Sequence, residues 1–510
     1  MKKTTKFLIS LTSAVLMASN ALALTGCGGG SVSGAVTGDV EVTAYDGSEV
    51  TISFYHCMGQ ALEGILKDCI KAFNVRYPNV TVQETSFGDY PGVRDQITTE
   101  LSALSAPSLA YCYPDHVALY NKSKVVLTLD DYITSDLEVT WANGTKEKVG
   151  LSDAQLADYV PFYYEEGKMY GDGKMYTLPM MKSTELLYYN ATYFLEHNLK
   201  VPTTWEEMED VCARVLEIET AKEGGLKANP IIPLGYDSGA NMFITLTEQM
   251  NSGYTTNEKG NYFAFNNEEN KEMAAMFREW YDKGYITTEE IFGTYTSDLF
   301  KQTQAGKTRS VMCIGSSAGA SYQKPAVNAD KITYPFEVGV TMIPQKDPEN
   351  PTMISQGPSL CLFKKQSKQE MAAAWLFAKF ITTSLEFQAR FSMQNGYTCA
   401  IQSVLEDTNV YASDLFLANV QGDPILENKE LGIKAYGNDN LQAACVQLTM
   451  NYKDYYFVSP AFVGSSEARD TMATLMKNVM QAPLEGKTAA KHIEDLFNKA
   501  HSTLKNKYDN

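Results

Sequence analysis

Histidine is scarce in this sequence, and its cysteines are scattered. The 510 residues contain 5 His and 9 Cys, with no C-x-x-C pair, no H-E-x-x-H and no other spacing that suits zinc. The pattern therefore predicts no metal site and no cofactor. A core as large as this chain allows does not need a disulfide framework, so we interpret the cysteines as buried free thiols.

Positive charge is also in deficit. There are 43 Lys and Arg against 61 Asp and Glu, giving a net charge of −18, and basic residues cluster only in short pairs such as Lys364–Lys365. A field of this sign repels phosphate backbones, so nucleic acid is excluded as an expected partner. Tryptophan is rare, at 4 residues, but the 31 tyrosines indicate a tyrosine-rich surface or pocket.

Long apolar runs are missing everywhere except at the N-terminus. MKKTTK precedes FLISLTSAVLMASNALAL, which ends at Leu24, and this layout is typical of a secretory signal peptide. The following LTGC resembles the bacterial lipobox, in which the signal peptide is cut before a cysteine that is lipidated. We therefore predict a lipoprotein signal peptide over residues 1–26, lipidation of Cys27, and a flexible Gly/Ser-rich tether over residues 27–47.

The rest of the chain alternates between strand and helix patterns. VTISFY (50–55) reads as a strand, apolar residues then recur at helical spacing from Leu62 to Phe73, and residues 77–85 return to an extended pattern. PSLAYCY (107–113) reads as the next buried strand. Strand–helix–strand units build parallel sheets covered by helices, so the predicted fold class is α/β.

Capping patterns predict several helix starts. The S/T-x-x-E pattern occurs at Thr204, Ser367 and Thr383, each just before an apolar periodic segment. The segment AAKHIEDLFNKAHSTL (489–504) predicts an amphipathic C-terminal helix.

GSSAG at 315–319 matches the G-x-S-x-G nucleophile elbow and follows the apolar run RSVMCI. A serine hydrolase needs a later histidine, and only His492 and His501 follow Ser317, both on the predicted C-terminal helix. No spacing singles out a glycosidase carboxylate pair either. We therefore predict a ligand-binding loop and no enzyme, and keep a surface serine esterase that uses Ser317 as a distant alternative.

Five stretches together resemble the extracellular solute-binding proteins, family 1, of bacterial ABC importers. The family's opening strand, helix and F-N-x-x-Y-P turn resemble VTISFYHCMGQALEGILKDCIKAFNVRYPNVTV (50–82). Its Y-x-L-P hinge with a Y-Y-N stretch resembles YTLPMMKSTELLYYNATYF (176–194), and its P-x-T-W-E-E helix start resembles VPTTWEEMEDV (201–211). Its second hinge and A-W-x-F-x-K-F helix resemble FEVGVTMIPQ (336–345) and residues 372–398. The stretches keep the family's order over nearly the whole chain after residue 48.

The resemblance implies a two-lobed periplasmic-binding-protein-like fold of type II, each lobe a sheet flanked by helices, joined by a hinge of crossing segments. We place the first lobe at 48–180 plus 335–383 and the second at 184–334 plus 384–505. The implied function is to capture a sugar or oligosaccharide between the lobes and deliver it to an ABC permease. The implied protein is a monomer, anchored to the outer face of the cytoplasmic membrane through Cys27.

Pocket positions are carried over by their place in the family's motifs. Those of the first lobe follow its strands or open a helix, those at the hinge lie in KST and ISQGPS, and those of the second lobe lie in GYDSG, GSSAG and SPAFVGSS. They are Tyr55, His56, Tyr90, Tyr113, Asp115, Lys182, Ser183, Thr184, Asp237, Ser316, Ser317, Gln356, Gly357 and Phe462. Tyr rings with Asp, Ser and Lys side chains suit carbohydrate.

One departure bears on the ligand. FYHCMGQ, GDY, KSTELLYYN and GSSAG resemble the glycerol-3-phosphate and glycerophosphodiester branch, which carries a phosphate-binding arginine near the C-terminus. The corresponding place here is about Phe462, and the nearest arginine, Arg469, lies further on. That difference favours a neutral ligand, whereas Lys182 keeps glycerol-3-phosphate or a glycerophosphodiester as the alternative.

Overall fold

The computed structural model describes residues 32–406, 420 and 423–509; the predicted signal peptide and Cys27 lie outside them. The chain forms two lobes, each built on a five-stranded sheet flanked by helices. The predicted two-lobed α/β fold is confirmed. Within the described residues, no helix is both long and apolar enough to cross a membrane.

The described residues contain 18 strands, numbered here in chain order. They are β1 Val50–His56, β2 Val80–Ser86, β3 Leu109–Cys112, β4 Glu138–Thr140, β5 Lys146–Lys148, β6 Thr177–Pro179, β7 Met181–Lys182, β8 Glu185–Asn190, β9 Leu234–Tyr236, β10 Ile286–Thr288, β11 Met312–Ser316, β12 Val338–Met342, β13 Met353–Ile354, β14 Ser359–Leu362, β15 Thr398–Cys399, β16 Leu426–Asn428, β17 Ile433–Ala435 and β18 Tyr456–Phe457.

The helices are referred to by their residue ranges. The α-helices of the described residues are Gln60–Arg76, Tyr90–Leu101, Pro114–Tyr120, Asp130–Ile133, Asp153–Asp158, Pro161–Glu165, Ala191–Glu196, Trp205–Ala221, Gly225–Ala228, Gly239–Gln249, Glu268–Asp282, Glu289–Phe292, Ser297–Phe300, Lys368–Thr383, Leu385–Asn395, Ser403–Glu406, Leu441–Asn451, Ser465–Gln481 and Ala489–Tyr508. Short 3₁₀ helices include Glu166–Lys168 and Ser317–Tyr322.

The sheet of the first lobe has the strand order β2-β1-β3-β14-β6. β1 pairs in parallel with β2 and β3, whereas β14 is antiparallel to β3 and β6. β1 is buried along nearly its whole length because helices cover both faces of the sheet. Phe54 packs on Tyr111 and Phe377 at centroid distances of 5.5 and 6.0 Å, which joins β1 to the helix Lys368–Thr383.

The sheet of the second lobe has the order β10-β9-β11-β8-β12. β9 is parallel to β10 and β11, and β8 runs antiparallel to β11 and β12. Its core includes Phe243, Phe277 and Trp280, with Phe497 from the C-terminal helix Ala489–Tyr508. The predicted amphipathic C-terminal helix is therefore confirmed.

The chain passes between the lobes at a small ladder of paired segments. β7 pairs with β15 through Lys182 and Thr398, and Ser183 exchanges two backbone hydrogen bonds with Gln356, at 3.0 and 2.8 Å. These crossing segments hold the residues 180–184 and 354–358 against each other. They form the hinge side of the cleft.

Two segments pack differently from the predicted lobe boundaries, which otherwise stay a prediction. β12, predicted in the first lobe, pairs along β8 in the second sheet, because its backbone completes that sheet's edge. The helix Leu385–Asn395, predicted in the second lobe, buries Phe387 and Phe391 in the first lobe's core.

The described part of the predicted flexible tether is held against the first lobe in the structure. Residues 32–48, called the arm below, lie along the first lobe: Ala35 N–H donates to Leu104 O at 2.7 Å and Val36 N–H to Lys364 O at 3.0 Å. Ala35 is buried in the lobe's core. Gly and Ser residues allow a flexible backbone, but here the backbone is hydrogen-bonded to Leu104 and Lys364 of the first lobe.

Capping and cysteine predictions have mixed outcomes. Thr204 and Ser367 cap their helices as predicted, accepting from the N–H groups of Glu207 and Glu370. Thr383 is not a cap, because it ends the helix Lys368–Thr383 and donates its hydroxyl to Lys379 O. All eight described cysteines are free thiols, and all but the half-buried Cys57 are buried, as predicted.

Candidate functional site

A cavity lies between the two lobes beside the hinge. It encloses an empty volume of about 680 Å³, including its open mouth. Tyr113 and Asp115 come from the end of β3 and the helix after it, while Asn241, Tyr254 and Arg469 come from the second lobe. The hinge contributes Glu166, Lys182, Ser355, Gln356 and Gly357.

Three residues that line this cavity each carry a polar atom that has no hydrogen-bond partner in the protein. These atoms are Asp115 Oδ2, the Tyr254 hydroxyl and Gln356 Nε2, all buried at the atom level. A buried polar group without a partner costs free energy, so native proteins satisfy such groups with water or a ligand. The residues around the cavity therefore include one carboxylate acceptor, one amide donor and one hydroxyl that the protein itself leaves unpaired.

Lys182 and Glu166 form a buried ion pair at the hinge side of the cavity. Lys182 Nζ donates to Glu166 Oε2, and Ser355 Oγ donates to the other carboxylate oxygen. Both charged side chains are almost fully buried. Glu166 neutralises the charge of Lys182, so the Lys182 ammonium stabilises the hinge and is less available to an anionic ligand.

Arg469 reaches the cavity from the helix Ser465–Gln481. Its Nη1 donates to Asn241 Oδ1, and no carboxylate of the described residues lies within ion-pair distance of it. Beneath these residues, Glu185 is buried and accepts a 2.7 Å hydrogen bond from the Tyr236 hydroxyl. Burial raises the pKa of Glu185 to about 7, although hydrogen bonds from Tyr236 and Asn241 act in the opposite direction.

An aromatic pair of the first lobe includes Tyr113, which lines the cavity. Tyr90 opens the helix Tyr90–Leu101 and stacks on Tyr113 at a centroid distance of 4.3 Å and an interplanar angle of 28°. Asp89 caps that helix by accepting from Gly92 N–H, which fixes where Tyr90 lies. The predicted pocket residues Tyr90 and Tyr113 are thus brought together.

Other predicted residues of the first lobe and hinge are engaged within the protein. Tyr55 donates its hydroxyl to Glu100 at 3.0 Å. His56 is fully buried, with Nε2 3.0 Å from Glu84 Oε2 and Nδ1 accepting from Met58 N–H, and burial lowers its pKa. Ser183 pairs through its backbone with Gln356. Thr184 is fully buried, and its hydroxyl has no partner.

The predicted residues of the second lobe are placed around β11 and in the core. Asp237 Oδ1 accepts from the backbone and hydroxyl of Thr296 at 2.6 and 2.7 Å, and burial raises its pKa. Ser316 Oγ accepts from Ala318 N–H. Phe462 stacks on Tyr262 at 4.5 Å, inside the second lobe's core.

Ser317 follows β11 as the elbow pattern predicts, but it is fully buried. Its Oγ accepts from Thr184 N–H at 3.3 Å, and its own N–H donates to Thr184 O at 2.8 Å. Among the described residues no histidine forms a hydrogen bond with it, and His501 packs on Phe265 of the second lobe's core. The segment joins the lobes at the hinge.

Five of the fourteen predicted residues line the cavity itself: Tyr113, Asp115, Lys182, Gln356 and Gly357. Sequence reasoning missed Glu166, Asn241, Tyr254 and Ser355. Asn241 carries a signal that was available, because it lies in the first turn of the helix that follows β9 and GYDSG. Glu166 begins the 3₁₀ helix Glu166–Lys168 and Tyr254 lies in a loop, and no local pattern indicates where either segment lies in the fold.

Across residues 32–406 and 423–509, no group of three or more His, Cys, Asp or Glu side chains is arranged to hold a metal ion. The polar groups around the cavity are instead single donors and acceptors from different elements.

Comparison with known proteins identifies relatives. A sequence profile described as bacterial extracellular solute-binding protein matches residues 68–418. The multiple sugar-binding protein of Streptococcus mutans serotype c is 23% identical over 368 residues, 71% of this chain and 77% of that protein.

Solved structures share the fold. UgpB from Mycobacterium tuberculosis in complex with glycerophosphocholine matches with a TM-score of 0.64 and 16% identity, covering 90% of this chain and 99% of that one. The maltose/maltodextrin-binding domain MalE from Bdellovibrio bacteriovorus, bound to maltotriose, matches with a TM-score of 0.62 and 15% identity, covering 89% and 100%. The GacH receptor of Streptomyces glaucescens, described with acarbose, matches with a TM-score of 0.62 and 16% identity, covering 90% and 99%.

Proposed function

The chain belongs to the bacterial extracellular solute-binding proteins, and on that premise we propose that it is the ligand-capturing component of an ABC importer. It closes its two lobes around a sugar or oligosaccharide and delivers it to a permease. It acts as a binding protein without catalysis of its own.

The observation that carries this proposal is the set of buried polar atoms without protein partners in the cavity between the lobes. Asp115 belongs to the first lobe, Gln356 to the hinge and Tyr254 to the second lobe. A molecule that satisfies all three contacts both lobes and the hinge at once. Such a molecule favours the closed arrangement of the lobes.

The chemistry of these groups suits carbohydrate. Each sugar hydroxyl both donates and accepts, so one ring satisfies the Asp115 carboxylate, the Gln356 amide and the Arg469 guanidinium together. The stacked Tyr90 and Tyr113 present ring surface near Asp115, against which the C–H face of a sugar packs. The sugar-binding relative from Streptococcus mutans supports the same ligand class.

The N-terminal sequence supports a proposal about where the protein is located. We infer that the signal peptide is removed before Cys27 and that lipidated Cys27 anchors the protein to the outer face of the cytoplasmic membrane. The support is the LTGC sequence after a basic and apolar leader. Several acyl chains on one cysteine supply the stable anchoring that a single chain does not.

The experiment is a binding screen with a matched pair of variants. Thermal shift and calorimetry are measured with mono- and oligosaccharides, glycerol-3-phosphate and glycerophosphocholine. We expect a saturable rise in melting temperature with a carbohydrate. Asp115→Asn should weaken binding about tenfold or more, because a hydrogen bond to a charged group is lost. Asp131→Asn, at an exposed position of the first lobe, should leave it unchanged. Binding of no carbohydrate would overturn the proposal.

A second candidate ligand is glycerol-3-phosphate or a glycerophosphodiester. The observation in its favour is Arg469, which lines the cavity without a carboxylate partner among the described residues. The neutralisation of Lys182 by Glu166 is against it. In the same screen, a preference for the phosphorylated ligands that Arg469→Met abolishes would select this candidate over sugar.

A further inference from the structure

Glu185 is a buried carboxyl at the start of β8, directly after the hinge residue Thr184. Only 2% of Glu185 is exposed, and the antiparallel pairing of β8 with β11 places it opposite Ser316. Its Oε2 accepts from the Tyr236 hydroxyl at 2.7 Å. Among the described residues, no Lys or Arg lies within ion-pair distance of it. A buried carboxyl without a cationic partner is costly, so its place beneath the cavity indicates a role beyond packing.

Asn241 connects Glu185 to the cavity. It lies in the first turn of the helix Gly239–Gln249, where its backbone N–H donates to Ser238 Oγ at 3.1 Å. Its side-chain amide acts as a hydrogen-bond donor towards Glu185 and lowers the pKa of that carboxyl, while its Oδ1 accepts from Arg469 Nη1. An amide has its donors at one end and its acceptor at the other, so Asn241 can serve both neighbours in only one orientation.

Arg469 lines the cavity from the helix Ser465–Gln481. Within the described part of the chain, the contact with Asn241 is the only hydrogen bond of its guanidinium, and no carboxylate lies within ion-pair distance of it. The remaining N–H groups of Arg469 are left for a bound molecule. The orientation of this guanidinium therefore depends on Asn241, and that of Asn241 depends on Glu185.

The charge of Glu185 decides how firmly these contacts hold. Hydrogen bonds to a carboxylate are about twice as strong as those to a neutral carboxyl, and the carboxylate also attracts Arg469. A protonated Glu185 is a weaker acceptor, and its O–H competes with Arg469 for the Asn241 carbonyl. Burial raises the pKa of Glu185 to about 7, so both charge states are populated near neutral pH.

We propose that Glu185 is a positioning residue of the ligand site, which acts through Asn241 and Arg469 and makes the affinity for the ligand depend on pH. The inference rests on the proposed capture of a sugar in this cavity. A guanidinium that is fixed before binding loses less freedom on binding, so the affinity falls as Glu185 gains a proton. We expect a decrease of about threefold to tenfold, which is the effect of one hydrogen bond of ordinary net strength.

Other titratable groups face the same residues. Tyr236 and Asp237, at the end of β9, face Glu185, and Arg469 is the cation that faces it. Burial raises the pKa of Asp237 from its ordinary 3.8. His116 of the first lobe faces Arg469, and burial lowers its pKa from the ordinary 6.5. The variants below therefore have to assign any titration to Glu185 itself.

The first test needs no ligand and follows Arg469 by nuclear magnetic resonance. The protein is labelled with isotope-enriched arginine, and the Nε–H signal of Arg469 is assigned by its loss in Arg469→Lys. We expect this signal to titrate with a midpoint near pH 7, to stay constant in Glu185→Gln, and to titrate less in Asn241→Ala. The control is Glu289→Gln, which removes another carboxyl whose pKa burial raises to about 7 and should leave the titration unchanged.

Two results would overturn the inference in this first test. One is an Arg469 signal that does not titrate, or that titrates equally in Glu185→Gln. The other is a titration as large in Asn241→Ala as in the unchanged protein, because the coupling would then bypass the amide.

The second test measures the pH profile of binding. Calorimetric titration between pH 5 and pH 8 is performed with each carbohydrate that binds in the screen. We expect the affinity to fall towards low pH with a midpoint near 7, and to be weaker and independent of pH in Glu185→Gln. Glu289→Gln should keep the profile of the unchanged protein. Binding that is independent of pH in the unchanged protein would overturn the inference. If no carbohydrate binds, the proposed function fails, and the resonance measurement judges the coupling of Glu185 to Arg469 alone.

Discussion

Arg94 of the first lobe binds Asp470 of the second lobe directly: its Nη1 lies 3.1 Å from Asp470 Oδ2 and 3.0 Å from Ser466 Oγ. Arg94 lies on the helix that begins at Tyr90, and Asp470 follows Arg469 on the helix Ser465–Gln481. The helix of Asp470 contributes Ser465 and Arg469 to the lining of the cavity, and the helix of Arg94 carries Tyr90, which stacks on the cavity-lining Tyr113. The contact therefore holds the two walls together.

We expect Asp470→Asn to weaken ligand binding by a factor of about 1.5 to 5. Arg94–Asp470 forms only while the lobes are in contact, and an ion pair this exposed contributes about 0.2–1 kcal/mol. Calorimetric titration measures the change. Asp95→Asn is the control, because Asp95 pairs with Arg94 inside the first lobe at 2.8 Å. An equal effect of both variants would contradict a role in closure.

Lys182→Met should lower the free energy of unfolding by about 3–5 kcal/mol, because it leaves the buried Glu166 carboxylate without its partner. The double variant Lys182→Met/Glu166→Gln should lose less than the sum of the two single changes. Urea denaturation measures these values. Lys168→Met removes the exposed pair with Glu165 and should cost less than about 1 kcal/mol. Strictly additive single effects would show that the pair is not coupled.

The burial of Glu185 predicts a pH dependence of stability. Its pKa in the folded protein is raised from 4.5 to about 7, so the native state binds the proton more tightly than the unfolded chain. The associated stability is fully present below pH 4.5 and is lost as the pH rises through 7, on the order of 3 kcal/mol in total. Unfolding free energies at pH 5 and 8 should differ less for Glu185→Gln than for the unchanged protein. An equal difference in the Glu185→Gln variant and the unchanged protein would show that Glu185 is not the source of this pH dependence.

Ser317→Ala should leave any ester hydrolysis unchanged. The Ser317 hydroxyl is buried, and no histidine of the described residues is hydrogen-bonded to it as a general base. Hydrolysis of p-nitrophenyl acetate measures this, with Ser316→Ala as the neighbouring control. A loss of turnover specific to Ser317→Ala would restore the esterase alternative.

Removal of the arm should destabilise the first lobe. Glu370, buried beneath the arm, accepts from Ser33 N–H at 2.8 Å and from Ser108 Oγ at 2.6 Å. Without the arm, Glu370 Oε2 loses the hydrogen bond from Ser33 N–H. We expect the free energy of unfolding to fall by about 1–3 kcal/mol. The melting temperature of a chain starting at residue 48 is compared with one starting at residue 32. Equal values would show that the arm contributes nothing.

Local patterns were sufficient to predict the α/β class, and the family resemblance implied the two lobes, but neither predicted the partners within the site. β1 and the helix Gln60–Arg76 follow the predicted strand and helix because their apolar spacing is strong. Ser367 caps its helix because a hydroxyl three residues before a glutamate suits that position locally. Thr383 has the same S/T-x-x-E pattern but is the last residue of the helix Lys368–Thr383. Ser384, not Thr383, precedes the next helix, Leu385–Asn395.

The candidate site shows where such reasoning ends. Asp115 and Gln356 are predicted pocket residues by their motif position, and both line the cavity between the lobes. His56 was predicted in the pocket because it ends β1, yet Glu84 of the neighbouring β2 binds its side chain. The partner of Lys182 is Glu166, which lies 16 positions earlier at the start of a short 3₁₀ helix. Pairings of this kind depend on tertiary packing, which no local spacing encodes.

The place of β14 in the first sheet has a consequence for the order in which the protein is made. β14 pairs with β3, although Cys112 and Ser359 are 247 positions apart. A ribosome must therefore synthesise the whole second sheet before the strand that joins β3 to β6 exists. Contacts so distant in sequence form slowly, which keeps the first lobe unfinished during synthesis. For a protein of an extracellular family, that delay leaves time for the chain to be threaded through the export channel before it folds.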